Sequence, residues 1–219
     1  MRITHSGKAM HTSTKEHWNE IYEALDATEL TWYEEIPEPS IRLLSECHIN
    51  KDEPVLDVGA GASTFIDYLI DQGFSNIIAA DLSEIALGKL KVRLGREKAS
   101  LVRWVVDDIT EPVNIQDLRN IALWHDRAVL HFLLEENQRR MYLSVLKKVV
   151  KKGGYVIIAA FSLTGAKKCT GLDVRNYDHT MLAEFLGEDF ILLDHFDYTD
   201  HTPSGVPKPY VYTLFRRKS

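Results

Sequence analysis

Acidic residues that close apolar runs are the first candidates for chemistry in this chain. Asp57 lies in Val55-Leu56-Asp57-Val58-Gly59-Ala60-Gly61-Ala62-Ser63, Asp81 follows Ile77 to Ala80, and Asp107-Asp108-Ile109 follows Leu101 to Val106. Gly59 and Gly61 permit the backbone angles of a sharp turn from strand to helix, which brings amide N–H groups against a ligand. A dinucleotide suits this turn badly. Its fingerprint needs a third glycine three residues after the second, where Thr64 stands, and Asp57 would repel a pyrophosphate. A cationic ligand without phosphate suits Asp57, because opposite charges attract strongly at a partly dry site. Asp81 stands 20 residues after Gly61, where an acid at a second strand end can bind both ribose hydroxyls. An adenosine carrying an ammonium and a sulfonium, S-adenosylmethionine, meets both requirements.

The glycine turn and its acid resemble the S-adenosylmethionine-binding motif of class I, seven-stranded, Rossmann-like methyltransferases. Trp124-His125-Asp126-Arg127-Ala128-Val129-Leu130-His131-Phe132-Leu133 and Lys168-Cys169-Thr170-Gly171-Leu172 resemble a small subgroup of that class, similar to protein-lysine methyltransferases. Ser63 departs from the pattern, since many members carry a third glycine there. The resemblance implies cofactor contacts from Asp57, Gly59, Ala60, Gly61, Asp81, Leu82, Asp108, Ile109 and Asp126, with Asp108 holding the adenine amine. It sets the segment after Trp124 beside the transferred methyl group, which makes Asp126 and His131 the catalytic candidates. A lone histidine opening an apolar run is, however, more often a hydrogen-bonded structural residue.

Around the acceptor, the resemblance implies Tyr22 and Trp32 from a helical front end, Arg127, and Cys169, Arg175 and Tyr177 from the loop after the fifth strand. His201 would come from a turn over the pocket rim. Methyl transfer is an in-line displacement that requires no enzyme nucleophile, so Cys169 is read as a wall. The Asn/Asp-Pro-Pro-aromatic tetrad that serves delocalised nitrogens is missing after Trp124. That argues against a nucleic-acid base or a glutamine amide and favours an amine, oxygen, thiol or carboxylate, while the resemblance implies a small-molecule or protein-lysine acceptor. Asp194, His195, Asp197, Asp200 and His201 lack tight ligand spacing, and no metal is expected. Two rival readings are a catalytically silent S-adenosylmethionine-binding or scaffold protein, and an NAD-dependent oxidoreductase in which Thr64 would have to replace a glycine.

Positioning these residues requires strand ends that converge. From Val55 onward, strands and helices alternate, which predicts an α/β fold: a doubly wound, mostly parallel seven-stranded sheet with helices on both faces and the last strand antiparallel. Strands are expected at Val55 to Val58, Ile77 to Ala80, Leu101 to Val106, Ile121 to Trp124, Tyr155 to Phe161, Phe190 to Phe196 and Tyr210 to Phe215. Helices are expected after Ser63, after Ser83 to about Leu94, from about Glu135 to Val150, and from Asp178 to Leu186. Residues 13–219 read as one domain. Within it, residues 13–50 form a helical N-terminal lid, opened by the capping box Ser13-Thr14-Lys15-Glu16 and continued by a short helix with Ile41, Leu44 and Cys47 inward. Residues 1–12 are expected to be disordered, and Met10 is an alternative start.

Composition narrows the class further. The 219 residues are 45% hydrophobic and 26% charged, ordinary for a soluble globular chain with a core of its own. A formal net charge of −6 disfavours a broad nucleic-acid surface, and no apolar run approaches membrane-spanning length. Two cysteines, Cys47 and Cys169, and no secretory leader point to the cytoplasm.

Overall fold

The computed structural model describes residues 13–219, so the expectations for residues 1–12 and Met10 lie outside the described residues. The strands are β1 (Val55–Val58), β2 (Ile77–Asp81), β3 (Val102–Val106), β4 (Ile121–Arg127), β5 (Val150–Phe161), the short ribbon β6 (Lys168–Cys169) and β7 (Leu172–Asp173), β8 (Phe190–His201) and β9 (Pro207–Arg217). All but the ribbon form one seven-stranded sheet in the order β3-β2-β1-β4-β5-β9-β8. β1 to β5 are parallel, while β9 runs antiparallel to both β5 and β8. The sheet thus has the expected class, including the antiparallel last strand.

Helices α1 (Thr14–Ala24), α2 (Glu38–Ser45), α3 (Phe65–Asp71), α4 (Glu84–Ala99), α5 (Glu136–Val149) and α6 (His179–Leu186) cover the sheet. Side chains alternate across a strand, so each strand feeds two cores. Val55, Ile77, Leu123 and Ile157 pack with α2, α3 and α4, whereas Leu56, Ile78, Trp124 and Ile158 pack with α5 and α6. The alternation puts Asp57 and its register partner His125 on the first face and Asp126 on the second. α1 carries the complete capping box between Ser13 and Glu16, and its Tyr22 packs with Leu30, Ala62 and Ala86 in a third, smaller cluster.

Several boundaries differ from expectation for physical reasons. α2 starts at Glu38 and turns Ser40, Leu43 and Leu44 inward, leaving Ile41 only half-buried. α2 therefore packs in the sheet core and only the chain before it can serve as a cover. α3 begins at Phe65 with Thr64 in the cap position; Ser63 Oγ still accepts the Phe65 N–H at 3.2 Å, and the Thr64 hydroxyl donates to the Glu34 carbonyl at 3.0 Å. α4 runs past Leu94 but breaks there, since Gly95 has φ +71°. β8 and β9 extend well into the proline-containing stretch. Pro207 and Pro209 are tolerated because β9 outruns the β5 ladder beyond Tyr210, where the Pro209 carbonyl still accepts the Ser162 N–H but no proline N–H is called for on that side.

Candidate active site

A cavity of about 170 Å³ opens at the carboxyl ends of β1, β2, β3 and β4, where ligands of open parallel sheets lie. Of the glycine turn, Gly59 lines it, and Gly61 stands behind the Tyr22 hydroxyl. Gly59 has φ +67°, and a Cβ there would stand 2.0 Å from Val129 Cγ2; Gly61 has φ +46°, and its Cβ would stand 2.3 Å from the Tyr22 hydroxyl. Both positions need glycine for backbone angle and for space. Asp81 ends β2 facing the cavity, with Oδ2 accepting the Gly61 N–H at 2.8 Å and Oδ1 accepting the Ser83 N–H at 2.7 Å. Burial pushes its carboxyl up to about 6, against the pull of those backbone donors.

At the end of β3 the two acids divide their work. Asp107 accepts the N–H groups of Val113, Asn114 and Ile115 and so folds the following loop. Asp108 accepts from the Thr110 N–H and hydroxyl and lines the cavity beside Ile109. Aromatic side chains form much of the remaining wall: Trp18, Tyr22, Trp32, Phe132 and Tyr210, with Cys169 among them. Burial raises the Cys169 thiol, which makes it a poor nucleophile.

Arg127, at the end of β4, lines the same cavity but spends its donors within the protein. It donates to the Trp32 carbonyl at 2.9 Å and the Tyr212 hydroxyl at 3.1 Å, and it pairs with Glu34 at 2.9 Å and Asp200 at 3.0 Å. The chain before α2 is thereby tied to the β8–β9 hairpin. Glu34 sits above the ordinary carboxylate range because burial outweighs the attraction of Arg127.

A smaller cavity of about 50 Å³ lies behind the glycine turn, with Asp57, Gly59, Ala60, Ser40 and His125 in its wall. Asp57 Oδ1 accepts from His125 Nδ1 at 2.6 Å, and His125 Nε2 lies 2.9 Å from Ser40 Oγ. Asp57 Oδ2 is buried and has no hydrogen-bond partner among the described residues.

Five of the expected site residues lie elsewhere. Asp126 is fully buried on the far face of the sheet, its oxygens accepting the Val129 and Leu130 N–H groups and the Tyr142 hydroxyl, so it shapes the turn after β4 and meets neither cavity. His131 is also fully buried. Its Nδ1 accepts the Phe161 N–H at 3.3 Å, and burial, with Arg127 and Lys208 nearby, depresses it to about 3, too weak for a base at neutral pH. Tyr177 packs in the α5–α6 core with exposed Arg175 over its ring, and His201 is exposed at the far end of β8. Strand alternation and hairpin length carry these three away from the cavity. The turn at 202–206 does form, with Thr202 and Val206 hydrogen bonded, but it is not part of the cavity wall. Trp18, Val129, Phe132 and Tyr210 went unassigned in the sequence, as did His125 and Ser40; only His125 had a signal, its place beside Asp126 in an otherwise apolar strand.

This sheet order and this cavity match the fold expected of class I S-adenosylmethionine-dependent methyltransferases. The residues fit the cofactor: a tight glycine turn beside the cavity with no room for a Cβ, a strand-end carboxylate with open lone pairs, and a buried carboxylate oxygen without a partner among the described residues. Residues 55–154 match the family described as "Methyltransferase domain". The chain is similar to mouse EEF1A lysine methyltransferase 2, 28% identical over 172 residues that cover 70% of this chain and 68% of the relative. It also superposes on a SAM-dependent methyltransferase from Anabaena variabilis, with a TM-score of 0.73, 15% identity and 93% of each chain covered. A third likeness is to the 1,6-didemethyltoxoflavin-N1-methyltransferase of Burkholderia thailandensis, solved with bound S-adenosylhomocysteine, with a TM-score of 0.63, 22% identity, and 84% of this chain and 78% of that one covered.

Proposed function

We propose that the acceptor is an amine nitrogen, in the first instance the side-chain amine of a protein lysine. The observation that carries this reading is the character of the wall around Arg127. The aromatic side chains there desolvate a guest, and the neighbouring carboxylates Glu34 and Asp200 are already paired with Arg127 and so are not free to hold an ammonium. Desolvation favours the neutral form of an amine, the form with a free lone pair, over the ammonium that dominates in water. The mouse relative's name supports a lysine, and the Burkholderia enzyme's name supports a second reading, a nitrogen of a small molecule.

In this reading Asp81 receives both ribose hydroxyls, Asp108 and Ile109 hold the adenine, and the backbone at Gly59, Ala60, Gly61 and Leu82 lies against the cofactor. S-Adenosylmethionine, when bound, supplies an electrophilic methyl group on its sulfonium. The chain's own contribution is to hold the acceptor in line and keep water out, which can supply much of the acceleration without an enzyme base. Residues 13–34 act as the cover, fastened by Arg127, and the two free cysteines suit a reducing cytoplasm. No helix among the described residues is long and apolar enough to cross a membrane.

The test is a screen of the purified protein with methyl-labelled S-adenosylmethionine against lysate proteins and metabolite pools. Label in protein that is recovered as methyl-lysine supports the first reading, and label in small molecules alone supports the second. Efficient methylation of DNA, RNA or glutamine would overturn both. With an amine acceptor, the single-turnover rate should rise with pH until the bound amine is neutral.

A further inference from the structure

We propose that His125 and Ser40 are positioning residues for the cofactor's ammonium, acting through Asp57. The chain Ser40–His125–Asp57 joins three elements: α2, β4 and β1. Ser40 is completely buried, and His125 and Asp57 are each 2% exposed. No substrate reaches the Ser40 hydroxyl, so the resemblance to a hydrolytic triad has no catalytic meaning.

The chemistry of the three groups fixes their roles. Asp57, when ionised, only accepts, so the 2.6 Å contact requires that His125 Nδ1 carry a proton. In the neutral ring Nε2 then accepts from the Ser40 hydroxyl at 2.9 Å. The imidazole is clamped from its face as well, stacked on Phe65 with centroids 4.2 Å apart. A carboxylate held at one oxygen by a ring that cannot turn presents its other oxygen in a fixed direction. That oxygen, Oδ2, is the buried one without a partner, and Asp57 belongs to the wall of the cavity behind the glycine turn. A buried carboxylate oxygen without a donor is unfavourable, and a cation held there restores the balance.

The position of Ser40 has a further meaning. It is the only member of the relay that precedes β1, so the seating of α2 on the sheet bears on how well the cofactor's amino-acid end is held. This deepens the methyltransferase reading above and rests on Asp57 facing the ammonium.

The experiment compares two probes by calorimetry. S-Adenosylhomocysteine carries the amino-acid end, and 5′-methylthioadenosine keeps the nucleoside and thioether without it. Ser40→Ala and His125→Leu should weaken S-adenosylhomocysteine roughly tenfold, the scale of one impaired charge-assisted hydrogen bond, and leave methylthioadenosine unchanged. His125→Asn should restore most of the preference, because its amide N–H can stand near the place of Nδ1. Parallel weakening of both probes would make the relay merely structural and overturn the proposal, as would an unchanged preference in Ser40→Ala and His125→Leu. Asp57→Asn separates the two levels: if it alone removes the preference, the relay fails while the reading of Asp57 stands. If it leaves the preference intact, that reading fails. Thermal unfolding checks each variant, and should His125→Leu not fold, the milder Ser40→Ala decides.

Discussion

Replacing Arg127 with methionine keeps an apolar stem of similar length and removes only the guanidinium. Glu34, Asp200, the Trp32 carbonyl and the Tyr212 hydroxyl all lose their partner at once. The side chains of Glu34 and Asp200 are 9% and 14% exposed, so water cannot readily replace the lost charge. Removing one partner of a buried ion pair costs about 3–5 kcal/mol, and the slight exposure of Asp200 puts the expectation near the lower end, about 3 kcal/mol. The loss should depend on pH in a definite direction. Glu34 already lies above the ordinary range through burial, held back by Arg127, and without Arg127 it rises further. A carboxyl whose folded pKa exceeds its unfolded value binds more protons when folded, so stability increases as pH falls through the folded value toward about 4.3. Urea unfolding of both proteins near pH 7.5 and near pH 5.5 should therefore show a deficit that shrinks in acid. A deficit below about 1 kcal/mol at the higher pH, or one that grows in acid, would refute the clamp.

Gly59→Ala forces a Cβ to 2.0 Å from Val129 Cγ2 at φ +67°. It should cost about 2 kcal/mol or more and abolish the thermal shift given by S-adenosylhomocysteine; unchanged melting would show that the turn yields freely. Calorimetric affinity for S-adenosylhomocysteine should fall as pH drops through about 6, where the Asp81 carboxyl takes up a proton and loses acceptor capacity. Asp81→Asn should bind roughly tenfold more weakly with that pH dependence gone, and a persisting dependence would assign it to another group. Asp126→Asn turns an amide toward donors it cannot satisfy and should destabilise by about 2 kcal/mol, while turnover per folded molecule stays near normal. A selective loss of turnover would return Asp126 to the catalytic machinery.

Most of the sheet was legible because parallel strands buried on both faces read as apolar runs bounded by glycine, proline or an acid. The acids at their ends marked the cavity for the same reason: a charged residue directly after a buried run must face something. The sequence was least informative where tertiary contacts decide. Ser40 reads as a polar helix residue, and only its placement opposite His125, across 85 positions of sequence, gives it meaning. Asp126 and His131 carry the right chemistry in the right segment, but whether a side chain beside a strand end faces ligand or core depends on a single step of alternation. Tyr177 and His201 were misplaced because loop and hairpin lengths cannot be read to the residue from composition. The aromatic wall is assembled from Trp18 and Trp32 near the start of the chain and Tyr210 near its end, and no local pattern links them.

The strand order also bears on synthesis. β9 lies between β5 and β8, yet the ribosome makes it after both. Until it emerges, the edge of β5 carries the unpaired backbone of Val156 to Phe161, a run of apolar residues that is an open template for pairing with another chain. The cover faces a similar delay, since Asp200 and Tyr212, which fix Arg127, arrive late. A nascent or prematurely ended chain therefore presents its most adhesive edge and an unfastened cofactor site together. Quality control of this protein by chaperones should concentrate on that interval.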